Sequence, residues 1–218
     1  MTYAIILAAG LGHRFKETPI KPLFPIKGKP LFLHSLNVFL SCKNIETIIL
    51  VINKEHRVSY LKYIDKLKSK NCYLTFGDPK QRYKSLMNAM MYVQKNFSLQ
   101  PNDIILTHDA ARINVTPKII KQSILVAQKY GYASTVLPIH DSIGEIIKTV
   151  KYLDRHNKYL IQTPQTIQYK YWKNIKVKSS NKVTDLFTYL KLNVSQQHLV
   201  TGSLSNFKIT TVDDLKLI

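Results

Sequence analysis

The chain has 218 residues, 45% of them hydrophobic and 21% charged, so it is long enough to bury a core and too apolar to be disordered. Its formal charge is +19, which invites nucleic acid or small polyanions as partners, but no helix-turn-helix, zinc-finger or RNP pattern accompanies it. No apolar run approaches the ~20 residues of a membrane span, and the short apolar stretch after Met1 follows no basic region, so no membrane association and a cytoplasmic location are expected.

"YAIIL" (3–7) reads as the first strand. "LFLHSLNVFL" (31–40) has helical spacing, and "IETIILVI" (45–52) is a buried, β-branched strand. "SYLKYIDKLK" (59–68) is an amphipathic helix with its aromatics inward. "CYLTF" (72–76) is a strand and "YKSLMNAMMYVQK" (83–95) a helix. "DIILTH" (103–108) is a strand, "PKIIKQSILVAQKY" (117–130) a helix opened by Pro117, and "ASTVLPI" (133–139) a strand. The alternation predicts a Rossmann-like three-layer α/β/α fold around a mostly parallel twisted sheet. The rhythm breaks over 139–165, where short β-type pieces and no helix suggest a projecting β arm. "VTDLFTYLKL" (183–192) then reads as helix, "QHLVTG" (197–202) as strand, and a last short helix follows "NFKITTVDDL". One domain over 1–218 is expected. Cys42 and Cys72 form no metal-ligand spacing and read as half-buried thiols.

The opening strand runs into Ala8-Ala9-Gly10-Leu11-Gly12 and then Arg14. Bare backbone at the carboxyl end of a parallel strand is where open α/β sheets bind ligands, and its N–H groups can cradle phosphate oxygens. A Rossmann fingerprint would need glycine at Phe15, and a Walker A loop would need G-K-[ST], but Gly28-Lys29 is followed by Pro30. A phosphate loop of a third kind, G-x-G-x-R followed by Lys21, remains beside the plainer reading of a βα turn. His108-Asp109 could belong to an HD-type phosphohydrolase, but the further His and Asp ligands that site needs are not in place.

"AIILAAGLGHR…KPLFPIKGKPLF", "THDAAR" (107–112), "IHDSI" (139–143), "DRHNKYLIQTPQ" (154–165), "VTD" (183–185) and "NFKITTVDDL" (206–215) occur in this order. Together they resemble the cytidylyltransferases of the nucleotidyltransferase superfamily that act on 2-C-methyl-D-erythritol 4-phosphate and ribitol 5-phosphate. The resemblance spans essentially the whole chain. It implies attack of a substrate phosphate oxygen on the α-phosphorus of CTP, with release of pyrophosphate. A phosphate monoester is largely dianionic at pH 7, so no general base is required, and none is evident. Cations and Mg²⁺ are required instead.

The resemblance further implies that Arg14 and Lys21 hold the triphosphate and that Lys208 reaches the α-phosphate. Leu7, Ala8, Ala9, Gly10, Gly12, Arg82, Ser85, Asp109 and Ala110 would surround the nucleotide, with Ser85 at the cytosine. Asp109, the only metal-ligand candidate, Arg112, Ser142, Arg155, Thr163 and Thr184 would meet the acceptor. Arg155 and Thr163 would be carried by the 139–165 arm, which clasps a second subunit in a homodimer. The sequence departs from the family pattern at Ile20-Lys21-Pro22, usually P-K-Q, and at Gly77-Asp78-Pro79, usually Gly-Gly. Between the two acceptors, "PNDIILTHDAAR" and "LSNFKITTVDDLK" lean toward ribitol 5-phosphate, and "LAAG" and "LPIHDSI" toward methylerythritol phosphate; ribitol 5-phosphate is narrowly favoured. An inactive nucleotide-binding relative and a nucleic-acid-binding protein are the other classes the residues leave open.

Overall fold

Strands that are β-branched and apolar at every position belong inside a sheet covered on both faces, and the computed structural model places them there. It describes residues 1–15, 20–67, 71–146, 149–173 and 185–218. Strand β1 (Thr2–Ala8) is followed by the two-residue strands β2 (Pro25–Ile26) and β3 (Lys29–Pro30), which pair with each other. Helix α1 (Leu31–Ser41), β4 (Thr47–Ile52), α2 (Arg57–Ile64), β5 (Cys72–Phe76), α3 (Arg82–Asn96), β6 (Ile104–Asp109), α4 (Pro117–Tyr130) and β7 (Tyr132–Pro138) come next. The later elements are β8 (Ile143–Ile146), β9 (Val150–Leu153), β10 (Tyr159–Gln168), α5 (Tyr169–Lys173), α6 (Leu186–Leu190) and β11 (Leu199–Thr201).

The main sheet has the order β11-β7-β10-β6-β1-β4-β5. Every pairing is parallel except those of β10, which runs against both β6 and β7. Alternate residues of each strand face opposite layers. Ile48, Leu50 and Ile52 pack with Phe32, Leu36 and Phe39 of α1 and with Tyr60 of α2. Ile49 and Val51 pack on the other side with Leu86, Met90 and Val93 of α3 and with Trp172. The expected three-layer fold is what forms.

Local chemistry sets the helix ends. Thr116 Oγ1 accepts from the Ile119 N–H, and Pro117 opens α4. Gly131 closes it at φ 96°, where a Cβ would stand 2.5 Å from the Tyr171 ring. Asp185 caps α6 by accepting from the Phe187 and Thr188 N–H groups.

The arm differs from expectation. Of the strands described within 139–165, the hairpin β8–β9 stands off the main sheet, with Ile146 and Tyr152 exposed. Residues 159–165, expected on the arm, lie in β10, so Thr163 sits in the central sheet. The polar string "QTPQTIQ" carries little apolar signal of burial, yet it is buried because its side chains find hydrogen-bond partners inside. β10 bulges between Ile161 and Gln165, and the Thr163–Pro164 peptide bond is cis. The expected helix over 183–192 is the five-residue α6, with 183 and 184 outside the described residues. The strand expected over 197–202 is a 3₁₀ turn at Gln196–His198 followed by β11.

Candidate active site

The parallel strands β1, β5 and β6 end at one edge of the sheet, and the loops leaving them meet there. They enclose a cavity of about 260 Å³ lined by Leu7, Ala8, Ala9, Gly10, Gly12, Arg14, Lys21, Arg82, Ser85, Asp109, Ala110 and Lys208. All the residues expected around the nucleotide and the three expected catalytic cations are thus brought to one place. Pro22, Asp78 and Pro79, which the sequence marks only as departures from the family pattern, also line it, as do His13, Leu31, Lys80 and Ala111, which the sequence does not mark.

Gly12 takes φ 79°, and a Cβ on it would fall 2.6 Å from Lys21 Cβ. That bare position lets the Lys21 stem pack against the opening loop, where the Lys21 N–H donates to the Leu11 carbonyl. Lys21 Nζ, nearly buried, donates to the Ile209 carbonyl at 2.7 Å. Burial, then the charges of Lys208 and Arg14, lower its pKa from 10.5 to about 8, against the pull of Asp109.

Asp109 ends β6 and sits between two cations. Its Oδ1 accepts from Arg82 Nε at 2.7 Å and its Oδ2 from Lys208 Nζ at 2.8 Å. Burial alone would raise its pKa; Arg82, Lys208 and Arg112 outweigh burial and hold the carboxyl well below its usual range. Lys208 arrives on a strap clamped to the sheet by amides. Asn206 Nδ2 donates to the Thr163 carbonyl at 2.9 Å and to Gln162 Oε1 at 3.1 Å, while Gln162 Nε2 donates to the Ser203 carbonyl at 2.8 Å. Asp214 accepts from the Thr210 and Thr211 N–H groups beyond it.

The wall of the cavity beside Ser85 is built from the departing Gly77-Asp78-Pro79. A Cβ on Gly77 would stand 2.5 Å from Ser85 Oγ, 2.7 Å from Ala9 Cβ and 2.8 Å from Val51 Cγ1. The retained glycine therefore lets three elements meet. Ser85 Oγ donates to the Asp78 carbonyl at 2.9 Å, and Asp78 Oδ1 accepts from the Lys80 and Gln81 N–H groups. Tyr60 OH donates to the Ala8 carbonyl at 2.7 Å, fixing the end of β1 from below.

Arg112 and Thr163 adjoin the cavity. Arg112 Nη1 donates to the Asn206 carbonyl at 2.9 Å and Nη2 to the Ile161 carbonyl at 3.2 Å; its buried Nε has no partner among the described residues. Thr163 Oγ1 accepts from the Asp109 N–H at 3.1 Å. Ser142 and Arg155 are not brought to the cavity. They lie exposed at the root of the hairpin, where Arg155 donates to the His140 carbonyl. Thr184 lies outside the described residues.

For a divalent cation the donor set is sparse but fitting. Among the described residues no three His, Cys, Asp or Glu side chains cluster; of the two carboxylates that line the cavity, Asp78 caps its own turn with Oδ1, and Asp109 is buried, ionised and has a lone pair left on each oxygen. A Mg²⁺ ion held mainly by phosphate oxygens and water needs no more from the protein.

The chain matches the sequence model of the family described as 2-C-methyl-D-erythritol 4-phosphate cytidylyltransferase over residues 2–218. It is 35% identical to the enzyme of that name from Thermosipho melanesiensis, covering 100% of this chain and 96% of that one. With the enzyme of that name from Bacillus velezensis the identity is 29%, with 99% and 93% covered. The solved structure of 4-diphosphocytidyl-2C-methyl-D-erythritol synthase from Anaerococcus prevotii superposes with a TM-score of 0.74 at 26% identity, over 100% of this chain and 93% of that one.

Proposed function

Because the chain belongs to the 2-C-methyl-D-erythritol 4-phosphate cytidylyltransferase family, and so to the CTP-dependent nucleotidyltransferases, we propose that it joins CTP to 2-C-methyl-D-erythritol 4-phosphate. This acceptor replaces ribitol 5-phosphate, which the sequence narrowly favoured. The two acceptors each present one phosphate and several hydroxyls, so the motifs around the phosphates do not distinguish them, whereas the matched family and relatives carry the methylerythritol name.

The observation that carries the reading is the convergence of Arg14, Lys21, Arg82 and Lys208 on one cavity beside the buried carboxylate of Asp109. Such a cavity suits a triphosphate and a phosphate monoester that must approach each other. An oxygen of the acceptor phosphate attacks the α-phosphorus of CTP, and the bond to the bridging oxygen of the β-phosphate breaks as pyrophosphate leaves. Arg14 and Lys21 hold the β- and γ-phosphates against the opening loop. Lys208 leaves Asp109 for the α-phosphate and stabilises charge as the pentacovalent centre forms. The Ala8-Ala9 backbone and Ser85 face the cytosine, and Arg112 and Thr163 face the acceptor. Asp109 would hold Mg²⁺, which neutralises phosphate charge when bound. The hairpin of a second copy, with Ser142 and Arg155 at its root, completes the acceptor site in a homodimer.

The test is pyrophosphate release from CTP and Mg²⁺ with each acceptor in parallel. Release with 2-C-methyl-D-erythritol 4-phosphate alone is expected. Release with ribitol 5-phosphate alone, or with neither, defeats the assignment.

A further inference from the structure

His108 has no part in the reaction above, yet it is fully buried. It precedes Asp109 in β6, and since successive strand residues point to opposite faces, its ring turns from the cavity and packs against Phe39, centroids 5.0 Å apart. Both ring nitrogens are engaged. Nε2 lies 3.2 Å from the Arg112 carbonyl, which can only accept, so Nε2 carries the proton and donates. Nδ1 lies 3.1 Å from Thr163 Oγ1. That hydroxyl already accepts from the Asp109 N–H at 3.1 Å, which leaves its own proton to point at Nδ1. The bonds therefore run in one direction: Asp109 N–H to Thr163, Thr163 O–H to His108, His108 Nε2–H to Arg112. A chain of this kind polarises along its length and holds each member in one orientation.

Arg112 is thereby held at both ends, by the ring at its carbonyl and by the Asn206 and Ile161 carbonyls at its two Nη atoms. We propose that His108 is a positioning residue for the acceptor half of the site, fixing the Thr163 hydroxyl and the Arg112 turn in one geometry. The inference rests on the assignment of Thr163 and Arg112 to the acceptor made above.

The test compares three variants. His108→Phe keeps the ring beside Phe39 and removes both hydrogen bonds; His108→Asn returns an acceptor near Nδ1, and His108→Gln a donor near Nε2. His108→Phe is expected to raise the KM for 2-C-methyl-D-erythritol 4-phosphate about tenfold or more, because small displacements of positioned groups are costly, while the KM for CTP moves less than about threefold. Each amide variant recovers part of the loss. An equal rise in both KM values, or no recovery in either amide variant, overturns the proposal. The wild-type protein supplies a readout independent of folding of the variants and of turnover: the ring-nitrogen chemical shifts of His108 at pH 7. The neutral Nε2–H tautomer is expected, and the Nδ1–H tautomer or an imidazolium overturns the proposal. A wild-type enzyme that uses neither acceptor defeats the assigned reaction and leaves this spectroscopic test standing.

Discussion

Lys21 and Lys208 differ in how they are held, and that difference is testable one residue at a time. Lys208 is paired with a carboxylate and Lys21 only with a carbonyl. Lys21→Ala and Lys208→Ala are each expected to lower kcat by roughly 10²-fold or more, as removal of a group that stabilises transition-state charge does; near-normal turnover in steady-state assays of both would remove them from these roles. Lys21 adds a pH signature. Its folded-state pKa of about 8 lies below its ordinary 10.5. Between those values the unfolded chain holds a proton that the folded chain has lost, so this group makes stability rise with pH across that window; below pH 8 it is a constant penalty. Phosphate oxygens beside Lys21 would raise its pKa again, so CTP binding at pH 8.5 is expected to take up a proton and binding at pH 6.5 to draw none through this group. Calorimetry in two buffers of different ionisation enthalpy measures this, and no uptake at pH 8.5 would separate Lys21 from the triphosphate.

At the scale of elements, the turn that brings β5, α3 and the opening loop together depends on Gly77. Gly77→Ala places a methyl group against Ser85, Ala9 and Val51 at once. It should cost about 1–3 kcal/mol of stability by overpacking, and raise the KM for CTP more than that for the acceptor; denaturant titration and steady-state kinetics check the two halves. The central strands and their helices were legible because apolar periodicity reports burial directly, as in Ile48 to Ile52 and in Pro117–Tyr130. Arg14, Lys21, Asp109 and Lys208 were legible as neighbours because the motifs that carry them resemble those of one family, although only Arg14 and Asp109 stand at or just beyond the end of a strand. Thr163 was misplaced onto the arm because burial of β10 is sustained by hydrogen bonds rather than apolar side chains, so periodicity is silent there. Gln162 and Asn206, which clamp the Lys208 strap, carry no residue-type signature of that task. Their partners are 41 and 43 residues away in sequence.

For the molecule as a whole, the exposed Ile146, Val150 and Tyr152 of the β8–β9 hairpin are apolar surface on an otherwise very basic protein. Ile146→Asp combined with Tyr152→Asp is expected to turn a dimer into a monomer in sedimentation and to weaken the acceptor far more than CTP. Arg155→Ala should weaken the acceptor alike without dissociating the dimer; a monomeric wild type would defeat both. The path of the chain through the cavity carries one more consequence. Lys21 closes on Ile209 across 188 residues, and Ile209 fills a cluster with Phe15, Ile26, Leu31 and Ile113. Most of the sheet pairs among residues 2–168, so a growing chain can lay down its core on the ribosome while its cavity still lacks a wall. Completion of the cavity thus comes with the last stretch of synthesis rather than with folding of the core, and a chain stopped short of residue 206 would keep the opening loop but lack Lys208 and the Ile209 carbonyl that holds Lys21.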